Sequence, residues 1–308
     1  MNPLLILHLV GGIHNEALML GLMLVGLELS FRAIYGPDLL RNPGSFWPSR
    51  SGWILIGGAA VLAASAMVKF TSMLSLGFVG IALALRWGAT LPALRRAPRR
   101  QWWQRSRQTV YALSLSAGFY AVVAGVVIVV ISVGTGLGFG WTGTLTTGEI
   151  VRSWMSMPTL LSVTTGRLGV NLGLGDHTQA VLEVARPIGQ LIAAGFIVRW
   201  MLATLGGRLH PLGALGVSMA TVVLFFPFVQ AWYLLWAVIP LAAWATGPWF
   251  RLSTIAASAI IAIVVMPTSS NTSGVVLAQG VLAGVIMVAV LTAVFFDCLL
   301  YTSPSPRD

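Results

Sequence analysis

The sequence predicts an all-α, polytopic integral membrane protein with about eight or nine transmembrane helices. Three observations carry this. The chain of 308 residues is 57% hydrophobic and only 8% charged, more apolar surface than one globular core can hide. Apolar runs close to the length that crosses a bilayer, about 20 residues, recur along the chain. The arginines sit in short segments between those runs, as the positive-inside rule requires.

In order, the runs are Glu16 to Ile34, Gly52 to Val68, Ser72 to Trp87, Val110 to Val133, Ala180 to Leu202, Leu212 to Phe228, Trp232 to Thr246, Leu252 to Met266 and Gly274 to Phe296. Residues 1–296 read as a single, partial transmembrane domain. Residues 297–308 follow an apolar helix abruptly and resemble translated adaptor read-through, so they are set apart from the native fold. The start at Asn2 is equally abrupt, and the chain reads as a fragment of a longer protein.

The basic residues orient the helices. Arg95, Arg96, Arg99, Arg100, Arg105 and Arg107 form a cytoplasmic cluster, and alternation outward from it leaves Lys69, Arg152, Arg167 and Arg186 on the outer side. The outer side then also holds the His14-Asn15-Glu16 turn, the segment Gly134 to Gln179, the Gln230-Ala231-Trp232-Tyr233 turn and Pro267 to Ser273. Gly134 to Gln179 is long for a connector, and its apolar part, Ile150 to Val163, suits a short helix on the membrane surface.

Composition also excludes classes. A formal charge of +10 is compatible with nucleic acid, but its placement beside apolar runs speaks for membrane topology and against nucleic-acid binding. The single cysteine, Cys298, rules out a disulfide framework and a cysteine metal cluster. There is no HExxH, Walker loop or GxSxG, so zinc-site, ATPase and soluble hydrolase readings lack support, and no cofactor or metal is firmly implied.

The stretch Gly11-Gly12-Ile13-His14-Asn15-Glu16 is the most informative polar feature. A glycine pair permits a tight turn, Asn15 suits a helix cap, and Glu16 lies at the positive end of the helix that follows. Capping alone does not call for His14 beside Glu16 at the mouth of an apolar helix, so these three are substrate-binding candidates.

Lys69, the only lysine, ends an apolar helix. It either snorkels to the interface or contacts a lipid phosphate arriving at that depth. Arg167, Asp176, His177, Glu183 and Arg186 make a second outer group, in which Asp176 suits a cap and Glu183 a partner for Arg186 one turn on. Trp232 and Tyr233 fit an interfacial aromatic belt or a platform for a sugar ring.

The stretch Asn2-Pro3-Leu4-Leu5-Ile6-Leu7-His8-Leu9-Val10-Gly11-Gly12-Ile13-His14-Asn15-Glu16-Ala17-Leu18-Met19 resembles a signature of the actinobacterial polyprenyl-phosphate-mannose-dependent alpha-1,6-mannosyltransferases, of the GT-C superfamily. The likeness continues through Val68-Lys69-Phe70 and Gln230 to Trp236, although the family often has Asp at Glu16 and Pro at Ala231. It implies a GT-C-like enzyme of the cell membrane, inverting, that moves mannose from polyprenyl-phosphate mannose to a glycolipid or mannan acceptor in lipomannan biosynthesis on the extracytoplasmic face.

Under that resemblance Lys69 and Arg167 are the donor phosphate candidates. His14, Asn15, Glu16, Asp176, His177, Arg186, Trp232 and Tyr233 are the substrate-binding ones. The usual catalytic Asp is expected in a first outer loop before Asn2, which leaves Glu16 as the candidate base within a fragment expected to be inactive alone. A transporter or lipid flippase is the alternative, and it calls for internal repeats or paired broken helices.

Overall fold

The structure, a computed structural model, describes residues 2–36, 49–91, 99–143, 155–245 and 247–265, with a few isolated positions after them. The span expected at Gly274 to Phe296, the turn from Pro267 to Ser273, and residues 297–308 lie largely or wholly outside the described residues.

Every extended element among the described residues is helical: α1 Glu16–Tyr35, α2 Arg50–Val68, α3 Met73–Arg86, α4 Arg99–Gly134, α5 Met157–Asn171, α6 Thr178–Leu205, α7 Pro211–Phe225, α8 Leu234–Ala242 and α9 Pro248–Val264. A π-helical segment, Leu5–Val10, precedes α1, and 3-10 turns Phe70–Ser72 and Ala231–Tyr233 lead into α3 and α8. Within α1, α2, α4 and α6 lie helices long and apolar enough to cross a membrane, and α3, α7, α8 and α9 are shorter apolar helices. The architecture is that of a polytopic membrane protein.

Two elements depart from the sequence expectation. The run expected at Val110 to Val133 is the C-terminal part of α4, which starts at Arg99 and takes Arg99, Arg100, Arg105 and Arg107 into the same helix. Arginine is a good helix former, so charge does not stop the helix. At about 1.5 Å per residue its 36 residues reach about 54 Å, far beyond the ~30 Å hydrocarbon layer. Of the short helix expected over Ile150 to Val163, residues 150–154 lie outside the described residues and the part from Met157 belongs to α5, which runs on to Asn171. There Ser156 accepts from the Thr159 amide (3.4 Å) and Pro158 occupies the first turn.

The described chain forms two compact units. One holds residues 15–142 and 200–215, and the other holds 1–14, 143–199 and 216–308. In the first, α1 and α2 pack through small residues. A Cβ on Gly58 would lie 2.5 Å from Ser30 Oγ, and one on Gly26 would lie 2.7 Å from Leu62 Cγ. Lipid competes well for apolar side chains, so backbone approach at such positions is what holds membrane helices together. Met19, Met23, Leu55 and Leu62 fill the buried seam around them.

In the second unit, Gly216 lets α7 meet α8 at Leu241, and Gly189 of α6 lies against Pro158 and Phe225. Pro187 interrupts the hydrogen bonding of α6, a break that membrane helices tolerate when neighbours satisfy the freed groups.

Candidate functional site

The polar residues singled out from sequence gather in three places, one in the first unit and two in the second. In the first, α2 stops at Val68 because Lys69 turns extended (φ −152°, ψ 120°) while its amide still donates to the Ser65 carbonyl at 3.1 Å. Ser65 Oγ donates to the Met19 carbonyl (2.7 Å) and bonds Ser72 Oγ (2.9 Å), which ties the end of α2 to α1 and to the 3-10 turn. This bracket aims the Lys69 ammonium at α1, where it donates to Glu16 Oε1.

The pair is lopsided. The Glu16 side chain is 3% exposed and that of Lys69 23%. Burial lowers the Lys69 pKa, and the charge and hydrogen bond of Glu16 raise it part of the way back. A deep carboxylate thus holds a cation that is itself partly exposed to solvent. Asn15 precedes α1 in helical conformation and makes no side-chain cap bond.

The second place centres on Trp232. The turn before α1 takes its left-handed residue at Ile13 (φ 53°), not at a glycine. Gly12 is needed for closeness instead, since a Cβ there would lie 2.5 Å from the His8 carbonyl and 2.8 Å from the His14 ring. The His14 imidazole stacks on Trp232, with centroids 3.7 Å apart and planes 15° from parallel.

Tyr233 stacks in turn on Trp236 at 3.9 Å. Trp232 and Tyr233 are both buried, so a sugar stacking on either ring has to displace His14 or Trp236 or use an opposite face. The Trp232 Nε1 donor is buried without a hydrogen bond.

His8, which sequence reasoning did not select, is fully buried with its ring 5.5 Å from Trp232. Neither ring nitrogen makes a hydrogen bond of sound geometry. Burial first and the nearby His14 second lower its pKa, while the Val265 backbone pulls weakly the other way. The signal available in the sequence was one histidine inside the apolar run from Leu4 to Val10.

Arg167, Asp176 and His177 come together between α5 and α6. Asp176 Oδ1 accepts from the Thr178 amide at 2.8 Å, as expected of a cap, and His177 Nε2 lies 2.8 Å from the Leu174 carbonyl. A cleft of about 560 Å³ opens here, lined by Arg167 and Asp176 among others. Arg186 lies farther along α6, and Glu183 accepts from Gln179 at 3.2 Å. Among the described residues no group of three His, Cys, Asp or Glu side chains is placed to hold a metal ion.

Residues 1–85 match the family described as Alpha-(1->6)-mannopyranosyltransferase, N-terminal domain, and residues 158–293 match the MptB C-terminal domain. The chain is 50% identical over 271 residues to a probable alpha-(1->6)-mannopyranosyltransferase of Mycolicibacterium smegmatis, covering 85% of the chain and 45% of that protein. It is 44% identical to an alpha-(1->6)-mannopyranosyltransferase of Mycobacterium tuberculosis (85% of the chain, 46% of that protein). It is 42% identical to alpha-(1->6)-mannopyranosyltransferase B of Corynebacterium glutamicum (87% and 41%). The chain therefore spans about half the length of the curated relatives it matches. No solved structure matches it.

Proposed function

We propose that the chain, which belongs to the alpha-(1->6)-mannopyranosyltransferase family, forms part of a membrane mannosyltransferase of the GT-C type. In this reading mannose passes from a polyprenyl-phosphate donor to a mannan acceptor on the extracytoplasmic face, with inversion. An acceptor hydroxyl attacks the anomeric carbon, the bond from that carbon to the phosphate oxygen breaks, and the hydroxyl proton goes to a base. Negative charge grows on the departing lipid phosphate and calls for a fixed cation.

The observation that carries the reading is the Lys69–Glu16 pair. It places an ammonium at the end of an apolar helix, partly exposed and held from below by a buried carboxylate. A lipid phosphate presents its charge at such a boundary, where a partly exposed ammonium is placed to meet it. Glu16 is then a positioning residue. Its carboxylate is buried and engaged by Lys69, which suits it less to taking a proton from an acceptor. Transfer then draws its base from elsewhere in the full-length protein.

The test joins this chain to the half of the Mycolicibacterium smegmatis relative that it does not cover. Membranes holding the chimera receive either labelled polyprenyl-phosphate mannose or labelled GDP-mannose, together with an α-1,6-linked mannotetraose. Label is expected in a lengthened oligosaccharide from the lipid donor alone. A transporter or flippase, in contrast, moves the lipid across vesicles without forming a new glycosidic bond, and that result refutes the transferase reading.

A further inference from the structure

The cleft between α5 and α6 combines chemistry that suits neither a lipid tail nor a bare phosphate. Its walls carry a guanidinium (Arg167), a carboxamide (Asn171), a carboxylate (Asp176) and a hydroxyl (Thr178), with the methyl groups of Val163 and Val170 beside them. Its volume of about 560 Å³ lies inside the range of small-molecule sites, roughly 300–1,000 Å³.

The floor is shaped by missing side chains. A Cβ on Gly166 would sit 1.9 Å from Thr178 Oγ1 and 2.6 Å from Asp176 Oδ1, and one on Gly169 would sit 2.5 Å from the Gly175 carbonyl. These two glycines let the Leu172-to-His177 turn press onto α5. The turn bends through left-handed Gly173 (φ 72°) and Gly175 (φ 90°), conformations that other residues enter only with strain. The Asp176 carboxylate is thus fixed in place, with Oδ1 on the Thr178 amide.

Electrostatics decides the ligand. A phosphate drawn to Arg167 also meets the Asp176 carboxylate in the same cleft, and like charges oppose it. A neutral polyol meets no such conflict. Its hydroxyls donate to the carboxylate, accept from the guanidinium and do both with the carboxamide, while a sugar's C–H face rests on valine methyls.

We propose that this cleft is a glycan subsite, binding a hexopyranose unit of the acceptor chain through Arg167, Asn171 and Asp176. The proposal rests on the mannosyltransferase reading and assigns Arg167 to the acceptor, leaving Lys69 to the donor phosphate.

The test is binding by the 308-residue chain in detergent micelles, followed by saturation-transfer NMR and calorimetry, with α-1,6-linked mannotetraose and inorganic phosphate as separate probes. Asp176→Asn keeps a capping oxygen for Thr178 but removes the charge, and Asn171→Ala removes the carboxamide at an exposed helix end. Each is expected to weaken tetraose binding by about ten- to a hundredfold, the range for losing a hydrogen bond in a charged site. Phosphate is expected to show no binding that Arg167→Gln abolishes.

Tetraose bound equally by the chain and both variants overturns the proposal, as does no tetraose binding at all or phosphate binding lost in Arg167→Gln. The mannosyltransferase reading stands or falls separately, on transfer from the lipid donor to any acceptor.

Discussion

The Lys69 ammonium donates to the Glu16 carboxylate across 53 positions of sequence, joining the end of α2 to the first turn of α1. The pair is both a structural tie and the proposed donor contact, and charge substitutions separate the two roles.

Lys69→Met alone strands a buried carboxylate. Removing one partner of a buried pair costs about 3–5 kcal/mol, and the partial exposure of Lys69 puts this case toward the lower end. The single variant is expected to unfold at lower temperature in detergent. Lys69→Met combined with Glu16→Gln removes both charges and should recover most of that loss. Equal melting of the single variant and the parent chain contradicts the pairing.

Small-residue packing makes a second prediction. Gly58→Leu drives a side chain into Ser30, where even a Cβ comes within 2.5 Å, whereas a Cβ on neighbouring Gly57 meets nothing within 4 Å. Gly58→Leu should destabilise the α1–α2 pair by about 1–3 kcal/mol or more, and Gly57→Leu should be close to neutral. Thermal unfolding of the two variants side by side checks this, and equal effects count against the interface.

A third prediction follows from His8. Its pKa lies below the ordinary 6.5 because burial disfavours the charged ring. The unfolded chain therefore binds the proton more readily, so the stability His8 contributes is fully present above pH 6.5 and is lost as pH falls below it. Thermal unfolding should shift downward on acidification, with a slope that His8→Phe reduces. An identical pH profile for His8→Phe removes His8 as the source.

Topology supplies a fourth. In a Cys298→Ser background, a cysteine at Gly143 should react with an impermeant reagent on intact cells and one at Gln104 should not, because Gln104 lies in the arginine-rich start of α4. Labelling at Gln104 reverses the assignment of the outer face.

Much of this fold is written locally. The apolar runs at Glu16 to Ile34 and Gly52 to Val68 match α1 and α2 to within about two residues, because hydrophobic length alone sets a membrane helix. The start of α4 was not legible in the same way: hydropathy falls at the arginines, yet helix propensity does not.

Lys69 and Glu16 were each conspicuous as charges beside apolar helices, but their pairing was not. It depends on how α1 packs on α2, which is decided by Gly26, Gly58 and Ser30 over several turns. His14 was visible as a polar residue at a helix mouth. Its partner, Trp232, lies more than two hundred positions away, and no local pattern predicts which face of an aromatic ring a distant loop covers.

The central claim is that Lys69, steadied by Glu16, meets the donor phosphate, and mannosyl transfer by the chimera carrying the charge-neutral Lys69→Met, Glu16→Gln pair tests it most directly. Because that pair leaves no stranded charge, the chimera should insert and melt close to its parent. Transfer from polyprenyl-phosphate mannose should nevertheless fall about a hundredfold, the order seen when a preorganised electrostatic contact is lost. Transfer at the parental rate by a correctly folded double variant contradicts the claim and reduces the pair to a tie between two helices.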